Sequence, residues 1–125
     1  MHVHNTSYIS IDSDQVNYSI SSNNSTSVVI YIPENVRISS DAGNYALTIP
    51  HYPNAHYIEV CVDGTIAGNG GSDGGGIKNN SNVQVLVTTK NKTGTVRGGT
   101  SSDSLSRNAL DGNFNIQKSP RIFNF

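Results

Sequence analysis

Val62-Asp-Gly-Thr-Ile-Ala-Gly-Asn-Gly-Gly-Ser-Asp-Gly-Gly-Gly76 is the stretch on which the fold turns. A short apolar strand over residues 57–62 runs straight into this glycine-dense turn. A second strand leaves it near Ile77 and continues through Val83 to Val87. Glycine tolerates positive φ and lets backbones approach closely, but it loses more conformational freedom on ordering than any other residue. A cluster this dense therefore has to be held by neighbouring strands or neighbouring chains.

Outward from that stretch the strand pattern repeats. Tyr8, Ile9 and Ile11 make a short first strand, and Val16, Tyr18 and Ile20 alternate with polar residues as a second. Val28, Ile30 and Ile32 form one face of a stronger strand, with Val29 and Tyr31 on the other, and Pro33 ends it. Val36 and Ile38 begin another piece, residues 41–44 turn, and Tyr45, Leu47 and Ile49 alternate after the turn. Ile58, Val60 and Val62 share a face opposite Tyr57, Glu59 and Cys61, and Val83, Val85 and Val87 repeat the alternation. Residues 91–94 turn, and Val96 sits in a short strand. Helical spacing is absent except for a weak turn over 105–113. Single apolar residues at turn-to-turn intervals (Ile38, Leu47, Ile58, Ile66, Ile77, Val85, Val96) point to short stacked strands. The fold class is all-β, with glycine-rich turns.

The chain has 125 residues and reads as one domain. Its hydrophobic fraction is 34% and its charged fraction 14%, so Asn, Ser, Thr and Gly fill the remainder and one chain alone promises only a thin core. Oligomerisation would supply the rest. The apolar end of the chain, with Phe114, Ile116, Ile122, Phe123 and Phe125, is expected to pack on the core or on a partner. Net charge is −1 and the basic residues are scattered from Arg37 to Arg121, which argues against nucleic acid. The longest apolar run, residues 28–32, is far shorter than the about 20 residues of a membrane span. No signal peptide pattern opens the sequence. Cys61 has no second cysteine to pair with and reads as a buried structural thiol. Asn5, Asn17, Asn23, Asn24, Asn79 and Asn91 match a glycosylation pattern that a chain of this composition produces by chance.

Little here points to catalysis. The nine acidic residues are dispersed, and Asp63, Asp73 and Asp111 read as turn aspartates. Glu34, Glu59 and Asp73 are available to a glycosidase pair, but no spacing selects two of them. Neither a nucleophile elbow nor a Cys61 pairing with His51 or His56 is indicated. The glycine cluster lacks both the Gly-Lys-Ser/Thr ending and the helix of a phosphate loop. No cofactor is called for. His2 and His4 point to one side of an extended segment, and a threefold axis would gather six imidazoles; a frayed terminus touching water is the preferred reading, and no metal site is assigned. The loop with His51, Tyr52, Asn54, His56 and Tyr57 serves equally as a contact patch or as a proline-fixed crossover with Tyr57 packed inward.

The order Ser27-Val-Val-Ile-Tyr-Ile32, Asn35-Val-Arg-Ile-Ser-Ser40, Tyr45-Ala-Leu-Thr-Ile49, Tyr57-Ile-Glu-Val60, Asp63-Gly-Thr-Ile-Ala-Gly-Asn-Gly-Gly71, Gly76-Ile-Lys-Asn79, Val83-Gln-Val-Leu-Val87 and Gly94-Thr-Val-Arg-Gly-Gly99 resembles the C-terminal receptor-binding region of host-specificity and tail-fibre proteins of tailed, lambda-like bacteriophages. The resemblance covers residues 27–99, with 1–26 as N-terminal strands and connector and 100–125 as a tail outside it. It implies a non-enzymatic, intertwined or side-by-side homotrimeric β-prism or β-helix-like tip at the distal end of a virion tail, made in the host cytoplasm. It also implies a partner on the bacterial surface, an outer-membrane protein or a surface polysaccharide. The expected receptor contact is the turn of Asn69, Gly70, Gly71, Ser72 and Asp73, since such tips project from the scaffold. The alternatives are a small carbohydrate-binding or carbohydrate-active β module, in which residues 76–85 would form part of a solenoid rung, and a structural virion part. The absence of Trp weighs against sugar platforms.

Overall fold

The computed structural model describes residues 5–69, 75–90, 95–97 and 109–120. The described chain is built from strands, and every pairing between them is parallel. The first sheet contains β1 (Thr6–Ser10), β4 (Ser27–Ile32), β7 (Tyr57–Val62), β10 (Val85–Thr89) and β13 (Phe114–Pro120), in that order. A second sheet contains β2 (Gln15–Val16), β5 (Arg37–Ala42), β8 (Thr65–Asn69) and β11 (Thr95–Arg97). The third contains β3 (Tyr18–Ser19), β6 (Leu47–Ile49), β9 (Ile77–Asn79) and β12 (Leu110–Asp111). Successive strands visit the three sheets in turn, so the chain winds as a coil of rungs. Each rung adds one strand to each sheet.

Stacking of like residues explains the register. Val28, Ile58, Val85 and Phe114 form one inward column of the first sheet, and Ile30, Val60, Val87 and Ile116 form the next. Ile38, Ile66 and Val96 align in the second sheet, and Leu47, Ile77 and Leu110 in the third. The seven isolated apolar positions of the sequence thus fall into three columns, one per sheet, and all are buried. A parallel strand buried in this way tolerates near-continuous Val and Ile runs. The core is continuous within one chain, running from Ile11 and Ile20 to Ala109 and Phe114. Burying it needs no second chain.

Three strand boundaries differ from the sequence reading. Val16 and Tyr18 belong to two strands in different sheets, because Asn17 between them takes a positive φ of 52° and turns the corner. Ile77 and Val85 likewise start separate strands, with Asn79 and Ser81 side chains bonding the backbone of the bend between them. Thr65–Asn69, expected within a turn, is a full strand entered through Gly64. A Cβ on Gly64 would lie 2.3 Å from the Pro33 carbonyl oxygen and 2.4 Å from that of Val36, so this corner admits only glycine. Of the weak helical turn at 105–113, Ala109 lies in a 3-10 turn, whereas Leu110–Asp111 form β12 and residues 112–113 bend. Residues 105–108, the turn at 91–94 and His2 and His4 lie outside the described residues.

Candidate functional site

The corner that leads from the second sheet to the third differs from the other two. In the first rung it is the single residue Asn17; in the following rungs it is 43–46, then 70–76, then 98–109. Each connection is longer than the one before it. The corner leading from the third sheet back to the first runs the opposite way, shrinking from 20–26 and 50–56 to 80–84 and 112–113.

Each lengthening connection starts on a glycine (Gly43, Gly70, Gly98) and ends on a small residue (Ala46, Gly76, Ala109). Their bases are stitched along the coil. Tyr18 N donates to Ala46 O at 2.8 Å, Ala46 N to Gly75 O at 2.7 Å, and Gly76 N to Ala109 O at 3.1 Å. Gly43, at a φ of 84°, leaves β5 for its loop. Gly68 and Gly75 pinch the third-rung loop closed, for a Cβ on Gly68 would stand 2.0 Å from the Gly75 carbonyl oxygen. This close approach explains part of the glycine density of the sequence. Binding residues concentrate on loops carried by a rigid scaffold.

Around these bases lies a polar surface. Asn17 Nδ2 donates to Asp41 Oδ2 at 3.1 Å, and Asp41 N donates to Asn17 Oδ1 at 3.0 Å. Asn44 and Asn69 are exposed, and the Asn69 backbone N–H is held by Ser40 Oγ at 2.8 Å. Tyr45 spans two rungs, donating its hydroxyl to Asp111 Oδ2 at 2.5 Å. The Lys78 ammonium, in the rung between, stands 5.4 Å from the centre of its ring. Tyr45 is held above its ordinary pKa, first by the hydrogen bond to Asp111 and then by burial.

A family model for the phage tail fibre adhesin Gp38 matches residues 2–104. The chain belongs to the Gp38 phage tail fibre adhesin family. No curated protein and no solved structure matches it. Membership bears out the resemblance to tail-fibre receptor-binding regions and assigns the adhesin to the virion tail.

Of the residues expected to touch a receptor, Asn69 closes β8 at the growing corner, while Gly70, Gly71, Ser72 and Asp73 lie outside the described residues. Asn17, Asp41, Tyr45, Lys78 and Asp111 were not singled out as site residues by sequence; only the register of parallel rungs brings them together. In the adhesin's other loop, Tyr52 rather than Tyr57 packs inward, and Tyr57 is exposed on the outer side of the first sheet with its hydroxyl on Glu59. Asp63 is no ordinary turn aspartate. It is buried and accepts from Tyr31 Oη at 2.7 Å, Thr89 Oγ1 at 3.1 Å and Lys90 N at 2.8 Å. Glu59, also buried, accepts from Thr88 Oγ1 at 2.6 Å. Both carboxylates are engaged in holding rungs together. Cys61 is buried and forms no disulfide. Among the described residues no group of His, Cys, Asp and Glu is placed to hold a metal ion. A groove of about 210 Å³ on the first sheet is lined by Tyr8, Ile9, Ser10, Val29, Tyr31 and Lys90.

Proposed function

We propose that this adhesin recognises a receptor on the bacterial surface, an outer-membrane protein or a surface polysaccharide, through the connections at its growing corner. The turn of Asn69, Gly70, Gly71, Ser72 and Asp73 is one of these connections, flanked by 43–46 and 98–109. The observation that carries the reading is the progressive lengthening of this one corner above a hydrogen-bonded base. Gly, Ser, Asn and Thr supply adaptable neutral hydrogen bonding, and Tyr45 supplies rigid aromatic area. The surface polarity suits a wet, reversible contact.

The test is competition. Purified chain is added to host cells before phage, and adsorption is counted. The reading expects adsorption to fall in proportion to bound chain, and to recover when the 70–74 segment is replaced by a shorter Gly-Ser linker. Competition unchanged by that replacement overturns it. Protease-treated cells that lose binding identify a protein receptor; cells stripped of surface polysaccharide that lose it identify a glycan.

Assembly is a separate measurement. Composition favours a homotrimer, whereas a core completed within one chain supports a self-sufficient fold. Light scattering separates three chains per particle from one.

A further inference from the structure

Two tyrosines far apart in the sequence meet on the outer face of the first sheet. Ile9, Val28 and Ile30 pack toward the core, so Tyr8 and Ser10 on β1 and Val29 and Tyr31 on β4 take the outward positions. Tyr8 is in register with Val29, and Ser10 with Tyr31. Tyr8 and Tyr31 are therefore diagonal neighbours, about 5 Å apart across the strands and about 7 Å apart along them. Together with Ile9, Ser10, Val29 and Lys90 they line the groove of about 210 Å³. Val29 is buried between them, whereas Tyr8 is 64% exposed. The Tyr31 hydroxyl is tied to the buried Asp63, which holds this wall in place before any ligand arrives. The Ser10 hydroxyl donates to Asp12 Oδ1.

We propose that this groove is a subsite for one neutral hexopyranose unit of a bacterial surface glycan. The walls select the ligand class. The face of an aromatic ring is negative and attracts the polarised C–H bonds on the apolar side of a pyranose. Two such faces beside an apolar floor, with a few polar groups around them, are the make-up of a small-ligand site. Sugar hydroxyls both donate and accept, and the groove offers both kinds of partner in the Ser10–Asp12 pair and the Lys90 ammonium. One carboxylate and one ammonium give no net charge that would favour an acidic sugar. At about 210 Å³ the space is smaller than the roughly 300 Å³ at which pockets begin to take drug-sized ligands, which suits a single ring. An extended peptide would call for a succession of pockets. The corner joining the second and third sheets lies across the coil from the first sheet, so the groove is a second contact, independent of the one proposed there.

Saturation-transfer NMR on the full chain tests the site, with glucose, galactose, mannose and N-acetylglucosamine as the probes. The expected result is transfer to the ring C–H protons of at least one of them. Tyr8→Ala, at an exposed position, should weaken that binding at least about fivefold, with circular dichroism confirming the fold. Tyr8→Phe should keep most of it, and Tyr57→Ala, on the same face but outside the groove, should keep all of it. Should Tyr8→Ala fail to fold, the ring resonances of Tyr8 and Tyr31 in the parent chain are followed during titration, and both should shift. No transfer to any of the four sugars, equal binding by a folded Tyr8→Ala chain, or unmoved Tyr8 and Tyr31 resonances would each overturn the proposal. Transfer to a proline-rich hexapeptide with none to the sugars also overturns it and reassigns the groove to a protein partner. The cell-competition assay with the 70–74 replacement reads the corner alone, so either reading can fail without the other.

Discussion

The Tyr31 hydroxyl, on β4, donates to Asp63 Oδ2 at 2.7 Å, just past the end of β7 in the next rung. The other carboxylate oxygen accepts from Thr89 and from the Lys90 N–H in the rung after that. One buried side chain thus ties three consecutive rungs at a corner where the backbone leaves the first sheet. Parallel rungs otherwise meet only through strand ladders and stacked apolar columns, neither of which fixes where a strand must end.

Asp63→Ala is expected to destabilise the chain by about 3 kcal/mol, because it strands three donors around a buried site. Tyr31→Phe, which removes one of them, should cost about 1 kcal/mol. Urea unfolding measures both. Equal losses would mean that Asp63 acts through the tyrosine alone.

How much of this was legible in the sequence follows from which interactions are local. Alternation in 28–32 and 57–62 gave those strands their faces, and the spacing of Ile38, Leu47, Ile58, Ile66, Ile77, Val85 and Val96 indicated stacking. The coil itself was hidden, since its pairings join residues about 30 positions apart at unequal intervals. Thr6 pairs with Ser27, and Ser27 with Tyr57. Corners were misread where a non-glycine residue makes the bend, as at Asn17, and Asp63 looked like any Asp-Gly turn. The Tyr45, Lys78 and Asp111 cluster has no sequence signature, because its members come from three rungs.

The glycines separate into two kinds, and substitution distinguishes them. Gly64→Ala and Gly68→Ala drive a Cβ into backbone carbonyls that cannot give way, and each should cost at least about 2 kcal/mol. Gly43→Ala meets open space and bears only the strain of its positive φ, about 1 kcal/mol. Thermal melting should rank the three accordingly; a Gly43 variant as unstable as the other two would contradict the assignment.

Ile77 and Ile66 stand in the middle of their columns with no exposure. Truncation of either to Ala should cost about 3 kcal/mol by opening a cavity between rungs. The same change at exposed Val16 should leave the urea midpoint within about 0.5 kcal/mol of the parent. A large effect at Val16 would indicate that the first rung is covered in solution.

Alkali should destabilise the chain as the pH rises through and above the ordinary tyrosine range. Burial first and then the hydrogen bond to Asp63 raise Tyr31 to about 12, and burial raises Tyr52 to about 12. The unfolded chain releases these protons near pH 10, whereas the folded chain keeps them until about 12. Stability is therefore intact below pH 10 and falls as pH rises from 10 to 12. Among the described residues the buried Tyr52 hydroxyl has no hydrogen-bond partner. Tyr52→Phe should flatten the alkaline decline and, at pH 7, raise stability by up to about 1 kcal/mol. Unfolding midpoints across pH 8 to pH 12 test both halves, and a destabilised Tyr52→Phe chain at neutral pH would contradict the second.

Tyr45 offers the sharpest test of the growing corner. Its ring is exposed in part, packed under Lys78 and fixed by Asp111, so it is preorganised at the base of the loop 43–46. If the corner meets the receptor, Tyr45→Ala should weaken binding to host cells at least about fivefold, the loss of about 1 kcal/mol that marks a contributing aromatic. Tyr45→Phe keeps the ring and loses the anchor on Asp111, and should retain most of the binding. Tyr57→Ala, on the first sheet and away from the corner, should leave binding unchanged. Melting curves run alongside separate a lost contact from a lost fold. A Tyr57→Ala chain that binds worse than Tyr45→Ala, with both folded, moves the receptor site to the first sheet.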